Sequence, residues 1–459
     1  MNKDTAKLRA AADQLNAIIG GSGPERWKQS ARGLLGYVQS RIEPQARMRE
    51  VSAQILRPGL GSRIAPAFGD FLYLWNVRDP KSPPASDFGE WLAAFSAKDG
   101  AHAADRWRAT RNSPWLLAAL ASVPPSDAAS GDLVAAAKQV RAEDPAWQSA
   151  TYYGIRLERL RGNTDAARQW ADSALGATIP DSTRNLLRAE RLAMARDWPE
   201  FLRYAPRKPV AVDYGDGDPD QPFGPNTPAK PVALDDDSVA PLNRMTPLSL
   251  WSDAASNALL PSDLQADIAQ AGWVRALLLQ DRDASRAFAS RLADLRPALS
   301  DDLRRYLAES DSQSARFAAV FLMLRDPGFS PELRGGLGRL EPVAKLDNYR
   351  DNWWALGAPT AAVAAPFLSD QQRAEGSRQA EQLRSDSNSV NYLAAVTIEW
   401  AKAHPQDSRV PEALHLAVRA TRYGASADKS STPYSKEAFD LLHGRYPDSP
   451  WARQTKYWY

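Results

Sequence analysis

The sequence contains no cysteine, which excludes disulfides, thiol nucleophiles and cysteine-ligated zinc together. Histidine is scarce: His102, His404, His415 and His443 are all there are. No two of them lie three or four residues apart, so a zinc site would have to be assembled from distant segments. They read as surface or capping side chains. Long apolar runs are missing too. Trp115–Val123 and Phe317–Leu324 are the longest, far short of the roughly 20 residues of a membrane span. Neither sign of charge dominates: 57 Lys and Arg face 55 Asp and Glu, a net +2. That balance gives no electrostatic reason to expect nucleic acid or an anionic membrane as partner. Alternating β-branched runs between turn pairs are nearly absent, so little sheet is expected.

Catalytic signatures are equally thin. There is no Gly-x-Ser-x-Gly elbow and no Gly-x-x-x-x-Gly-Lys phosphate loop. Gly335-Gly336-Leu337-Gly338 lacks a preceding strand and a third spaced glycine, and reads as a helix end. Asp216-x-Asp218-x-Asp220 opens like a calcium loop. Gln221 then replaces the turn glycine, and Thr227 stands where a bidentate Glu belongs, so a solvated acidic segment is the better reading. No catalytic residue, metal ligand or cofactor is expected. The opening Met1-Asn2-Lys3-Asp4 leads into a charged helical pattern without an apolar h-region, so no secretory signal is visible.

What is present points to helices. An apolar fraction of 44% can build cores, but 459 residues are too many for one ordinary core. Thirty-four prolines cluster between helical stretches, the punctuation of many short helices. Helical periodicity runs through 4–19, 25–42, 44–56, 64–76, 86–97, 101–110, 113–122 and 130–142. It resumes at 248–259, 262–279, 283–294, 299–308, 311–324 and 330–339, and again from about 370. Between these blocks, Pro206–Pro247 holds nine prolines and shows no helical period, as a linker or long functional loop does. The expected organisation is an N-terminal helical half (1–205), the Pro/Asp-rich segment (206–247) and a C-terminal helical half (248–459).

Trp147–Tyr204 is the most informative stretch. Gly162-Asn163-Thr164-Asp165-Ala166-Ala167 resembles the turn of a tetratricopeptide repeat. Ala171, Ala174 and Leu175 follow where the second helix of that repeat takes small or apolar side chains. The next turn begins at Arg196, 34 residues later, which is the repeat's period. Near the C-terminus, His404-Pro405-Gln406-Asp407-Ser408 and Tyr446-Pro447-Asp448-Ser449-Pro450 each precede a helix. That pattern is similar to tetratricopeptide proteins of bacterial cell envelopes, such as the outer-membrane assembly lipoprotein and Tol-Pal coordinator families. The resemblance implies an all-α solenoid of antiparallel helix hairpins. It also implies a concave face that binds a protein partner without catalysis, in the periplasm or envelope if a signal segment has been removed and in the cytoplasm otherwise.

Aromatics supply the remaining candidate. Fifteen tryptophans are many for this length. Tyr349-Arg350-Asp351-Asn352-Trp353-Trp354 lies in an irregular stretch, and adjacent tryptophans on a helix point different ways. Packing in the core or between repeats is the first reading; the alternative is that at least one leaves the core and, with Arg350, Asp351 and Asn352, dresses a peptide or sugar groove. The competing function is a carbohydrate-active protein on peptidoglycan or a related glycan, resembling the helical superhelix of soluble lytic transglycosylases. Close carboxylates beside a tryptophan in a concave pocket would favour that enzyme; a groove without them favours the scaffold.

Overall fold

The computed structural model describes residues 4–56, 64–79, 81, 84, 86–212, 221–222, 232–336, 346–356, 363–385 and 388–459. Among these the chain is all-α. Its only strands are two-residue pieces in two antiparallel ribbons. The chain packs as two compact units, Met1–Trp170 and Ala171–Tyr459. Asp216, Asp218, Asp220, Thr227 and Gly338 lie outside the described residues.

In the first unit, helix α1 (Thr5–Gly20) pairs with α2 (Glu25–Ile42) over Leu15, Ala31 and Val38. Helix α3 (Pro44–Ile55) pairs with α4 (Ile64–Val77) over Met48, Val51, Phe71 and Leu74. Then follow α5 (Asp87–Ala97), α6 (Gly100–Thr110), α7 (Ser113–Ser122), α8 (Ser130–Gln139) and α9 (Trp147–Leu160). These share a larger core around the fully buried Trp115, with Trp107, Leu133 and Ala150. Helix α10 (Thr164–Leu175) lays Trp170 against that core and carries the boundary between the units.

The second unit begins with α11 (Asp181–Ala193) and α12 (Trp198–Tyr204). Buried Arg191 ties them together: its guanidinium reaches Asp172 at 2.8 Å and Glu200 at 3.0 Å. Strand β1 (Pro206–Arg207) pairs with β4 (Ala233–Leu234), and β2 (Ala211–Val212) with β3 (Gln221–Pro222). Residues 236–245, read above as part of a run without helical period, form α13 (Asp236–Met245). Asp235 caps its first turn, and Val239 and Leu242 enter the main core. Helices α14 (Leu248–Ala254), α15 (Ser262–Leu278), α16 (Arg282–Leu295), α17 (Ser300–Ala308) and α18 (Ser312–Arg325) each contact the next. The helix expected at 330–339 is not formed over 331–336. There the Asn243 amide pairs with both the N–H and the carbonyl of Leu333, at 3.0 and 2.9 Å, and Gly336 turns to φ +67. Then come α19 (Asp370–Ser385), α20 (Ser389–Ala403), α21 (Val410–Tyr423), α22 (Thr432–Arg445) and α23 (Pro450–Gln454).

One connection recurs. Lys98, Arg111, Gly162 and Gln280 all adopt positive φ, and Asp99, Asn112, Asn163 and Asp281 follow them directly. At Lys98, Gly162 and Gln280 the hydrogen bonds are those of a Schellman motif. The N–H after the turn residue reaches back to Ala94, Glu158 and Ala276 respectively. A left-handed residue followed at once by an Asp or Asn reverses the chain between two helices in two or three residues. Two of these hairpins also share a packing register. Gly154 lies eight residues before Gly162, and Trp170 eight after it; Gly272, Gln280 and Phe288 repeat those offsets. A Cβ at Gly154 would collide with the Trp170 indole, and one at Gly272 with the Phe288 ring. Each glycine therefore lets the helices of its hairpin close around an aromatic side chain. The turn 34 residues after Gly162 differs: Arg196 keeps negative φ, and Asp197 alone caps α12.

The C-terminal residues are docked, but not through Tyr457 and Trp458. Helix α23 is only five residues long, so Tyr457 and Trp458 are left 70% and 42% exposed. Trp451 and Thr455 hold the segment instead. Thr455 Oγ1 lies 2.6 Å from His415 Nδ1, and the Trp451 ring packs on the His415 ring. Tyr459 is anchored through its N–H to Ser435 and its hydroxyl to Arg422. Burial, with Arg419 adding repulsion, pushes the His415 imidazole down to about 4.

Two outcomes follow. Lys98→Gly should stabilise the chain by about 1 kcal/mol and Gly162→Ala destabilise it by a similar amount, because only the backbone conformation changes in each; urea melts measure both. His415 stays neutral in the fold while the unfolded chain takes up a proton below its ordinary value of 6.5. Stability is therefore lost as pH falls from 6.5 towards 4, by roughly 2–3 kcal/mol. Urea melts across that window should show His415→Gln losing less stability on acidification than the parent.

Candidate functional site

The six aromatic-centred candidates form a structural clasp. Trp353 and Trp354 are both buried, at 1% and 2% exposure, as packing in the core has them. The segment is not helical: Trp353 takes φ +59, and that left-handed turn brings both side chains inward. Trp353 Nε1 donates to the Met323 carbonyl at 2.6 Å, and its N–H to that of Pro327 at 2.7 Å. The Trp354 carbonyl accepts from Ser389 Oγ. Asn352 is fully buried; its amide donates to the carbonyls of Asp347 and Tyr349, and its own carbonyl accepts from Ala425 N–H. Arg350 donates to the Ala427 carbonyl, and the Asp351 carbonyl lies 3.5 Å from Arg334 Nη2. Tyr349, at 69%, and Arg350 are exposed. The clasp joins the end of α18, the start of α20 and the turn after α21.

The groove it supports is elsewhere. A cavity of about 710 Å³ opens between the end of α15 and the starts of α16, α18, α20 and α22, with Tyr306 of α17 at its base. Asp281 and Asn388 line it and cap α16 and α20 through the N–H groups of Ala284 and Asn391. Asp311 caps α18 beside it, its carboxyl held below the ordinary range by hydrogen bonds from Ser314. Three lining side chains are cationic, Arg282, Arg286 and Arg316, against the one carboxylate of Asp281. Arg282 and Arg286 each spend a donor on the α17–α18 connection, at the Ser310 and Leu307 carbonyls. Arg316 lies over the Tyr392 ring, 5.3 Å from its centre. Tyr306 donates to Ser285 Oγ at 2.8 Å. Asn391 Nδ2 reaches Ser430, while its buried Oδ1 has no donor among the described residues.

The lining combines guanidinium groups, helix caps and tyrosine rings. A glycosidase needs two carboxyl groups flanking the bond, and the lining supplies one, engaged at a helix cap. No tryptophan lines the groove. Ser285 has a tyrosine partner rather than a base. Among the described residues no group of three His, Asp or Glu could hold a metal ion. Guanidinium groups beside helix N-termini favour ligand groups rich in oxygen acceptors, and the tyrosine faces favour apolar or planar contacts. None of the six residues singled out in the sequence lines this groove. Its lining residues are spread from Ala276 to Tyr434, and each looks like an ordinary helix-surface position in sequence.

The clasp reading has its own check. Trp353→Ala should cost about 3–5 kcal/mol in urea melts, and Tyr349→Ala less than about 0.5 kcal/mol. Near-neutral behaviour of Trp353→Ala would return the tryptophan to the list of ligand contacts. No family model, curated protein or solved structure matches this chain.

Proposed function

We propose that this protein is a non-catalytic protein–protein interaction scaffold, an array of helix hairpins whose second unit receives a segment of a partner. The groove between α15, α16, α18, α20 and α22 carries the reading. It is roomy, bounded largely by the starts of α16, α18, α20 and α22, and dressed with arginine and tyrosine rather than with reacting groups. The shared register of the Gly154 and Gly272 hairpins supports a repeated-hairpin architecture of tetratricopeptide type, since each repeat unit reuses one packing solution. The envelope setting rests on the resemblance of the C-terminal stretch alone.

A photo-crosslinking amino acid at Tyr434 tests it in the full chain. The expected result is a discrete protein adduct from a native lysate that disappears in Arg316→Glu, with melting unchanged. Adduct formation indifferent to Arg316→Glu, or groove-dependent co-sedimentation with peptidoglycan, would overturn the reading; the latter would favour the carbohydrate-active alternative.

A further inference from the structure

The first four helices leave apolar surface that their own cores do not use. Of the exposed large hydrophobic side chains among the described residues, ten of eighteen fall between Ile18 and Val77. Helix α4 shows the imbalance best. Ala67, Phe71 and Leu74 face the core, yet Ile64, Phe68, Leu72, Tyr73 and Val77 on the remaining circumference are exposed. Its one charged side chain, Asp70, is taken by Arg47 at 2.8 Å. A helix apolar on all sides is ordinarily covered on all sides. Helix α2 presents Trp27, Leu34 and Tyr37 at i, i+7 and i+10, one exposed stripe, 57%, 53% and 45% open. Cations attend these aromatics: Arg26 lies 6.0 Å from the Trp27 ring and Arg41 3.8 Å from that of Tyr37.

Charge selects the occupant. Residues 1–79 hold twelve Lys and Arg against seven Asp and Glu, a net +5, which leaves −3 on residues 80–459 of a chain with net +2. A second copy docking by the same face would oppose +5 to +5. An anionic surface is attracted instead. Aliphatic side chains with Trp and Tyr at the edge, flanked by Arg and Lys, match the interfacial zone of a bilayer, where aromatic rings sit at headgroup level. Aliphatic Leu34, Ile64, Leu72 and Val77 have no comparable role on a nucleic acid. No helix among the described residues is long and apolar enough to cross a membrane, so the contact is peripheral. We infer that helices α1–α4 dock this protein on an anionic phospholipid surface, with Trp27, Leu34, Phe68 and Leu72 entering the interface and Arg26 and Lys28 meeting the headgroups. The inference is independent of the groove, which lies in the other unit.

The test is co-sedimentation of the full chain with vesicles of phosphatidylglycerol and phosphatidylcholine in equal parts, beside vesicles of phosphatidylcholine alone. Binding should require phosphatidylglycerol and weaken as salt rises towards about 1 M, where the screening length is about 3 Å. Arg26→Glu with Lys28→Glu should weaken it by roughly twentyfold or more. Trp27→Ser with Phe68→Ser and Leu72→Ser should abolish it at every salt concentration, with helix content and melting retained. If the triple variant melts early, the charge-reversed pair decides. Absence of binding to the mixed vesicles, or equal binding to both kinds, overturns the inference. So does a concentration-dependent dimer, or binding to a nucleic-acid duplex in place of the vesicles, that the triple variant loses.

Discussion

A buried arginine organises the second unit. Arg275 sits on α15 with 1% of its surface exposed, and no carboxylate among the described residues pairs with it directly. Its guanidinium donates to the Pro331 carbonyl at 3.0 Å and the Asn243 carbonyl at 3.2 Å, and lies 4.6 Å from the centre of the Trp251 ring. Loss of hydration pulls its pKa down to about 10, with Glu332 opposing the shift from nearby. It remains charged at neutral pH. Glu332 is moved the other way by its own burial. Taking such a charge from water costs several kcal/mol unless acceptors replace the water, so α13, α15 and the 331–333 segment must hold their carbonyls where they are. Asn243 completes the brace by pairing with Leu333 on both sides of its amide. The groove inherits this rigidity. Ala276, Leu277 and Leu278, which form its α15 wall, follow Arg275 directly, so the same turn of helix that is clamped inside lines the groove outside.

Helix positions were legible because burial imposes a 3.6-residue period and because prolines and glycines mark many of the breaks. The connections were legible only where the special backbone conformation falls on glycine. Gly162 announces its turn; Lys98, Arg111 and Gln280 adopt the same left-handed conformation without any such residue. In those cases the packing of the two helices fixes the geometry, and the local cost of about 1–2 kcal/mol is borne by the hairpin. The Asp or Asn that follows is the better signal, since it must cap the next helix whatever residue precedes it. The same signal stands at Asp235-Asp236-Asp237, inside a Pro-rich run that hides the helical period. There an Asp cap and an acidic first turn open α13, which tolerates Pro241 inside it.

The candidate site was far less legible, for two physical reasons. Treating Trp353 and Trp354 as neighbours on a helix set them on different faces. One left-handed residue removes that geometry and buries both. The groove, by contrast, has no sequence signature at all. Arg282, Arg286, Arg316 and Asn391 stand at the starts of three helices, and in sequence each resembles solvent-facing decoration. Only the stacking of α16, α18 and α20 brings them to one cavity. Pairing of the Gly272 and Phe288 positions with those of Gly154 and Trp170 shows that the hairpin itself was encoded in a register 118 residues apart, a spacing outside the short repeat periods first sought.

Whole-chain charge concealed a second feature. A net of +2 averages an N-terminal +5 with a remainder of −3, and at physiological ionic strength only charges within about 8 Å act together. The meaningful quantity is therefore the local one, and it differs between the two surfaces. In the groove, cations stand among tyrosines and helix caps and are partly spent on carbonyls, which suits a defined set of acceptors and directional contacts. Around α2 and α4 they border open aliphatic and aromatic surface, which suits a broad, fluid anionic layer. The groove is built from α15–α18, α20 and α22 and the apolar surface from α1–α4, so no helix serves both. Substitutions at exposed positions of one should therefore leave the other intact, because the two surfaces share no helix.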